Sequence, residues 1–368
     1  MGKKIGIITH YDVHNHGALL QMYALQQVLR KFNVEPEGLT FKKNYDFYHE
    51  YSEKKYNIGI SSIPYYIGYL IKNGFSKTLF NVKKRNKLEN FKKEKNMVGR
   101  STIDAVDLKG VFIGSDEVFS IETGLTPEFW GNNLTTNNIF SYAGCFGPTT
   151  IEFIKKKKAE SFIKKGISNL KKISVRDENS KHIIESLSER EALLVCDPVI
   201  LYGYIEEKKK LKKINEEKYI LVYSYDNNMN KFNEIENIKK FAKENNLKIY
   251  SVGFYHKWCD KNINVDPIEL LEYVNSAELV MTDTFHGTIM SMILNKEFIT
   301  KVHTNSNKLG FLLKEYNLIS RITKDFSDSS NIIKNNINYD EVNKIINERR
   351  NVSLNYIKEC LGSINNEE

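Results

Sequence analysis

The sequence predicts an α/β protein made of two doubly wound domains that face each other across a cleft. Three observations predict it. Short β-branched runs alternate with longer segments of helical spacing, the pattern of parallel strands joined by crossover helices. The alternation runs through the chain twice, and between the two series the composition shifts to EEKKKLKKINEEK at residues 206–218. The chain's 368 residues also exceed what one hydrophobic core ordinarily holds, so two domains of roughly 200 residues or fewer are expected.

In the first series, assigned to residues 1–205, the expected strands are KIGIIT (4–9), GVFIG (110–114), IFSYAG (139–144), KISVRD (172–177) and LLVCDPV (193–199). After the first strand, GALLQMYALQQVLRKF (17–32) places apolar residues at helical spacing, with Gly17 opening the turn. The stretch 45–100 is mostly polar and aromatic with weak periodicity and reads as a helical insertion. Residues 206–218 read as a linker or connecting helix. The second series, 206–368, holds strands YILVYSY (219–225), KIYSVGF (248–254), AELVMTD (277–283) and EFITKV (297–302), with helices near 231–246, 267–276, 286–295 and 308–317. A helical pattern at 339–362 is expected to fold back across both halves.

Composition narrows the class. Apolar residues make up 41% of the chain and there are only six prolines, which excludes a disordered or low-complexity protein. The net charge of +8 sits largely in runs such as KKKK (155–158) and KKK (208–210), read as solvated helix faces or, failing that, surfaces for anionic lipid or saccharide. No nucleic-acid motif accompanies them. Cys145, Cys196, Cys259 and Cys360 form no C-x-x-C pair and read as reduced, buried thiols of a cytoplasmic protein. MGKKIGIITHYD is too short in apolar residues for a signal peptide, and no run reaches the ~18 apolar residues of a membrane span. The nearest, ISSIPYYIGYLIKNG (60–74), reads as a packed helix or as an interfacial segment meeting a membrane-borne substrate.

In open parallel sheets, ligands bind outside the carboxyl ends of the strands, where loops converge and helix starts offer N–H groups. Every unusual polar cluster here falls at such an end: THYDVHNHG (9–17), GSDEVF (114–119), VRDENS (175–180) and TDTFHGT (282–288). His286 stands at a strand-to-helix junction, with Gly287 allowing close backbone approach and Thr288 able to cap. An imidazole there suits acid/base work, and Arg176 offers a planar fork for carboxylate or phosphate, so the pair suits a small, doubly anionic substrate. Each also has a purely structural reading. His286 can cap a turn, Arg176 can pair with Asp177 or Glu178, and Asp116 can cap the next helix. His10, His14 and His16 lack the accompanying ligands of a defined metal site. Fingerprints of dinucleotide and nucleoside-triphosphate loops are absent.

Taken in order, NHGALLQMYALQQVL (15–29), FIGSDEVFS (112–120), SYAGCFG (141–147), ISVRDENS (173–180), CDPVILY (196–202) and TDTFHGTIMSMILNKEFI (282–299) resemble the polysaccharide pyruvyl transferase family over roughly residues 4–320. The resemblance implies a GT-B-like pair of Rossmann-type domains. It also implies transfer of a pyruvyl group from phosphoenolpyruvate to two hydroxyls of a sugar, forming a cyclic ketal, with no cofactor beyond that co-substrate and no metal required, though none is excluded. It makes His286 the catalytic histidine and Arg176 the arginine that holds the donor, with Lys308 and the helix start at Gly287 and Thr288 assisting. Asn15, Gly17, Gln21, Ser115 and Asp116 fall on the acceptor side. Glu117 and Phe119 stand where relatives often have glutamine and tryptophan, and His16 where an aromatic is common, so the acceptor is left open. The implied acceptor is a saccharide or lipid-linked saccharide, met in the cytoplasm or at the inner membrane face through peripheral membrane contact. Two other classes share the architecture: a sugar-nucleotide-dependent GT-B glycosyltransferase and a non-catalytic glycan-binding relative.

Overall fold

Buried apolar runs too short for helices form the strands. GVFI and YILVY are covered on every residue, as strands with helices on both faces must be. The computed structural model describes residues 2–44, 47, 63–214, 217–303 and 307–365. Along the first half run β1 (Lys3–Ile8), α1 (His16–Arg30), β2 (Val34–Thr40), α2 (Ile63–Glu94), β3 (Val98–Ser101), β4 (Gly110–Ile113), β5 (Ile139–Ser141), α3 (Ile151–Lys156), α4 (Glu160–Asn169), β6 (Ser174–Val175), α5 (Glu178–Leu187), β7 (Leu193–Leu194), α6 (Pro198–Tyr202) and α7 (Ile205–Lys208). Then follow β8 (Tyr219–Tyr223), α8 (Phe232–Glu244), β9 (Lys248–Val252), β10 (Lys261–Ile263), α9 (Pro267–Ser276), β11 (Leu279–Thr282), α10 (Phe285–Ile293), β12 (Phe298–Lys301), α11 (Asn307–Glu315), β13 (Ile322–Thr323), α12 (Ser329–Ile333) and α13 (Tyr339–Asn365).

Two parallel sheets result. The first has the order β3-β2-β1-β4-β5, and single bridges, Phe140 to Lys172 and Gly144 to Val175, carry it on toward the β6-β7 pair. The second has the order β10-β9-β8-β11-β12-β13. In each the strand order reverses beside the sheet's first strand, between β1 and β4 and between β8 and β11, which opens a crevice at the carboxyl ends of those strands. The expected architecture of two doubly wound domains is therefore present.

The structure adds strands that periodicity did not reveal. β2 reads VEPEGLT, with proline, glycine and two glutamates, a composition that does not mark a strand; it pairs with β1 on one side and β3 on the other. Of the insertion expected at 45–100, residues 45–46 and 48–62 lie outside the described residues. The remainder holds α2, broken at Gly74 with φ 78°, and the sheet strand β3.

One buried cluster runs through both halves, joining Ile5, Leu20 and Phe112 to Leu221, Leu271 and Ile289. α13 contributes Ile357 and Ile364 to that cluster. It ties back to the first sheet, where Tyr356 donates to the Ser141 carbonyl at 2.8 Å, and to the loop before α6, where the Ser353 hydroxyl accepts from Cys196 N–H at 3.0 Å. Because Ile357 is fully buried, Ile357→Ala should cost ~2–5 kcal/mol, whereas Lys358→Ala on the exposed face should stay within ~0.5 kcal/mol, as read by urea denaturation midpoints.

Candidate active site

The carboxyl ends of the two sheets face a shared cleft of about 510 Å³. From the first domain it is lined by Asn15 after β1, Asp116 and Glu117 after β4, and Gly147 and Pro148 after β5. From the second come Tyr223, Tyr225 and Asn228 at the end of β8, Asp283 through His286 after β11, His303 after β12, and Lys308 on α11. The cleft thus sits where the strand orders reverse.

Its chemistry is organised by one buried carboxylate. Asp197, in the loop leading into α6, accepts from Val199 N–H at 2.9 Å and from Arg176 Nη1 at 2.9 Å. The His286 imidazole, brought by the second domain, sets its Nε2 3.8 Å from the same carboxylate oxygen. That is an ion-pair separation rather than a hydrogen bond, and Nε2 has no hydrogen-bond partner among the described residues. Arg176 also donates from Nη2 to Asp116 at 3.0 Å and contacts Cys145 Sγ at 3.1 Å.

Phe285 lies between the cations, with Arg176 Cζ 4.6 Å and Lys308 Nζ 5.5 Å from its ring centroid. Lys308 Nζ donates to Glu117 Oε1 at 2.7 Å.

Burial alone would raise the carboxyl pKa of Asp116, but Arg176, Lys308, His10 and His286 outweigh it and hold the group well below its ordinary value. Asp197 is likewise depressed: burial opposes this, and His286 and Arg176 prevail. Burial disfavours charge on Lys308, yet Glu117 and Asp116 raise it above its ordinary value. Burial pushes the Cys145 thiol up to about 12, which leaves it protonated.

The structure brings together some of the residues singled out from sequence and separates others. His286, Lys308, Asn15 and Asp116 line the cleft. Arg176 does not: its side chain is 1% exposed and bridges Asp116 and Asp197 rather than Asp177 or Glu178. Asp116 caps no helix; its backbone is left-handed at φ 79° and its carboxylate serves Arg176. Ser115 and Gln21 are buried and bonded to each other at 2.8 Å, away from the cleft. Gly17 packs against the His286 ring, so closely that a Cβ there would fall 2.3 Å from Nδ1.

The helix start at α10 also differs from expectation. Its cap is Thr284, whose hydroxyl accepts from Gly287 N–H at 3.0 Å, and Thr288 is fully buried with its hydroxyl donating to the Thr284 carbonyl. Neither Gly287 nor Thr288 therefore presents a free amide to the cleft.

His10, His14 and His16 part company. His10 packs on Phe129, His14 meets Glu89 at 2.9 Å, and His16 plugs into the second domain, its Nε2 3.0 Å from the Val265 carbonyl. Burial, with Lys84 nearby, pulls the His16 pKa down to about 3. Among the described residues no group of three or more His, Cys, Asp or Glu is placed to hold a metal, and no helix is long and apolar enough to cross a membrane. The four cysteines are free and buried.

Sequence reasoning missed several lining or anchoring groups. Asp197 lay inside a quoted motif without a role. Asp283, Asn228 and His303 form a second polar cluster, with Asp283 Oδ2 accepting from Asn228 Nδ2 at 2.7 Å and lying 2.8 Å from His303 Nε2. The strand-end rule applied to EFITKV, followed to its carboxyl end, would have reached His303.

Two parallel doubly wound domains with a cleft between their carboxyl ends make this a GT-B protein. Residues 15–305 match the polysaccharide pyruvyl transferase family, and the chain belongs to that family. No curated protein matches it in sequence. Its fold is similar to that of the UDP-N-acetylglucosamine 2-epimerase of Rickettsia bellii, with TM-score 0.53 at 11% identity over 99% of this chain and 97% of that one. It is also similar to the UDP-GlcNAc 2-epimerase of Neisseria meningitidis bound to UDP-GlcNAc, with TM-score 0.50 at 11% identity over 98% of this chain and all of that one, 100%. At these identities the likeness is one of fold.

Removing Arg176 takes the bonded cation from buried Asp197 and partly buried Asp116. Arg176→Met is expected to cost ~3–5 kcal/mol at neutral pH, measured by denaturant unfolding. Because Asp116 and Asp197 are depressed in the fold, the stability they contribute is complete above their unfolded value of ~3.9 and is lost as pH falls through the lower folded values. In the variant, acid neutralises the uncompensated carboxylates, so its deficit against the wild type should narrow below pH ~4.

Proposed function

We propose that the chain transfers the pyruvyl group of phosphoenolpyruvate to two hydroxyls of a sugar in a surface glycan or its lipid-linked precursor, giving a cyclic ketal and phosphate. The observation that carries this reading is His286: an imidazole on the cleft wall with an unpartnered Nε2, anchored beside Asp197, in a chain of the pyruvyl transferase family. Phosphoenolpyruvate must gain a proton at C3 so that C2 becomes electrophilic, and a sugar hydroxyl must lose one as it attacks. One positioned acid/base group supplies ~10²–10⁴-fold to such a step.

The donor's anionic groups call for a cation that can turn toward them. Lys308 fills that role, since it lines the cleft and its partner Glu117 is 35% exposed. Arg176 stays behind the wall and acts by holding Asp116 and Asp197 in place. The α10 start, through the amides of Phe285 and His286, adds positive potential for departing phosphate. The acceptor side is the cleft's first-domain wall, Asn15 and Asp116, with Tyr225 across from it receiving Asn15 Nδ2 at 3.2 Å. No further cofactor enters this scheme. For a lipid-linked acceptor at the inner membrane face, α2 offers exposed Ile71, Phe75, Leu79 and Val82 as the apolar contact.

Phosphate release from phosphoenolpyruvate with a panel of glycan acceptors tests the proposal. His286→Ala should lower kcat by ~10²–10⁴-fold. Glu117→Gln should lower the KM for phosphoenolpyruvate by roughly two- to fivefold, the worth of a partly exposed ion pair, with kcat little changed. Tighter binding of a nucleotide sugar than of phosphoenolpyruvate would favour the glycosyltransferase reading. Saccharide binding indifferent to donor, without turnover, would favour a glycan-binding relative.

A further inference from the structure

We propose that His303, held by Asp283, is a second acid/base group of the cleft, and that it takes the proton from an acceptor hydroxyl while His286 serves the donor. This rests on the pyruvyl-transfer reading above. The balance of that reaction motivates it. For each ketal, two hydroxyl O–H bonds break, two C–O bonds form at C2, the C2=C3 π bond opens as one C–H bond forms at C3, and the C2–O bond to phosphate breaks. Of the two protons released, one ends on C3 and the other leaves with phosphate. Protonation at C3 and deprotonation of a hydroxyl are distinct proton transfers, and two imidazoles lining one cleft match them.

The geometry points to His303 as the second. It is exposed, with 44% of its side chain open, and lines the same cleft as His286. Its Nε2 lies 2.8 Å from Oδ2 of Asp283, whose side chain is fully buried and whose same oxygen accepts from Asn228 Nδ2. A carboxylate only accepts hydrogen bonds, so the contact fixes the N–H on Nε2 and leaves Nδ1 with its lone pair. That is the tautomer of a base. Its surroundings differ from those of His286. His286 stands beside Asp197, which Arg176 also grips, and its neighbour Phe285 packs against both Arg176 and Lys308. His303 stands beside a carboxylate and an amide, the groups that bind sugar hydroxyls. The arrangement repeats: each imidazole follows the carboxyl end of a second-domain strand and is backed by a buried aspartate.

Two measurements on the full chain test this. In the first, the ring nitrogens of His303 are observed by NMR, assigned by their loss in His303→Gln, with methyl β-galactopyranoside and methyl β-mannopyranoside as probes and no donor present. The expected result is the Nε2–H tautomer, lost in Asp283→Asn, with an Nδ1 resonance that shifts when a glycoside is added. In the second, ketal formation is followed in His303→Ala and His303→Gln. Here kcat should fall by ~10²-fold or more with the KM for phosphoenolpyruvate within twofold of wild type, and free imidazole should restore part of the activity of the alanine variant alone. An Nδ1–H tautomer, a ring indifferent to both glycosides, or variants that turn over within twofold of the wild type would overturn the assignment. A wild-type chain that binds the glycosides through His303 but makes no ketal would sink pyruvyl transfer and leave His303 as an acceptor-side base.

Discussion

The Asp197 carboxylate, shared between the guanidinium of one domain and the imidazole of the other, is the constraint on which the site depends. It is 2% exposed, far too buried to persist as an unpaired anion, and its carboxyl is held below the ordinary value by His286 across the domain boundary and by Arg176 beside it. The second oxygen of the Asp197 carboxyl caps α6 through Val199 N–H, which ties the charge to the backbone. A side chain so over-determined cannot follow the substrate. It instead gives His286 a fixed neighbour, with the buried Nε2 held on the Asp197 side of the ring.

The first helix enforces the same geometry from the opposite side. Asn15 caps α1 by accepting from Gly17 and Ala18 N–H at 2.8 and 3.2 Å, which sets the angle at which the helix start enters the second domain. His16 then plugs against Val265, and Gly17 abuts Nδ1, Cγ and Cβ of His286. Glycine is required at 17 for want of room, since its neighbour is the imidazole itself. Because one apolar cluster continues through both halves, the register between α1 and α10 is a property of the core rather than of a loose hinge.

How far the site was legible in sequence follows from the range of the forces involved. Strand ends are local patterns, so the four polar clusters, the two-domain architecture and the place of His286 could be read directly. The partners of Arg176 could not. Asp116 and Asp197 lie 60 and 21 residues away, and only the folded sheet brings them to one guanidinium. The adjacent Asp177 was the nearer candidate, but its carboxylate caps α5 through Ser180 N–H. The same holds for Lys308, whose partner Glu117 is 191 residues distant. The helix start was misread for a different reason: Thr284 and Thr288 are both competent hydroxyls, and only the backbone geometry selects the first as cap. β2 was hidden by composition, because proline and glycine argue locally against a strand that its two neighbours nevertheless stabilise.

The most direct measurement compares phosphate release from phosphoenolpyruvate by the wild type and Asp197→Asn, with circular dichroism confirming the fold of each. Asp197 does not itself line the cleft, so its effect must pass through the lining groups it holds, His286 directly and Asp116 by way of Arg176. The account predicts a fall in kcat of ~10²-fold or more with the KM for the donor nearly unchanged, as expected when an imidazole loses the carboxylate that orients it. A variant with wild-type kcat, or one impaired only in KM, would contradict the claim that this carboxylate positions the histidine for the chemistry.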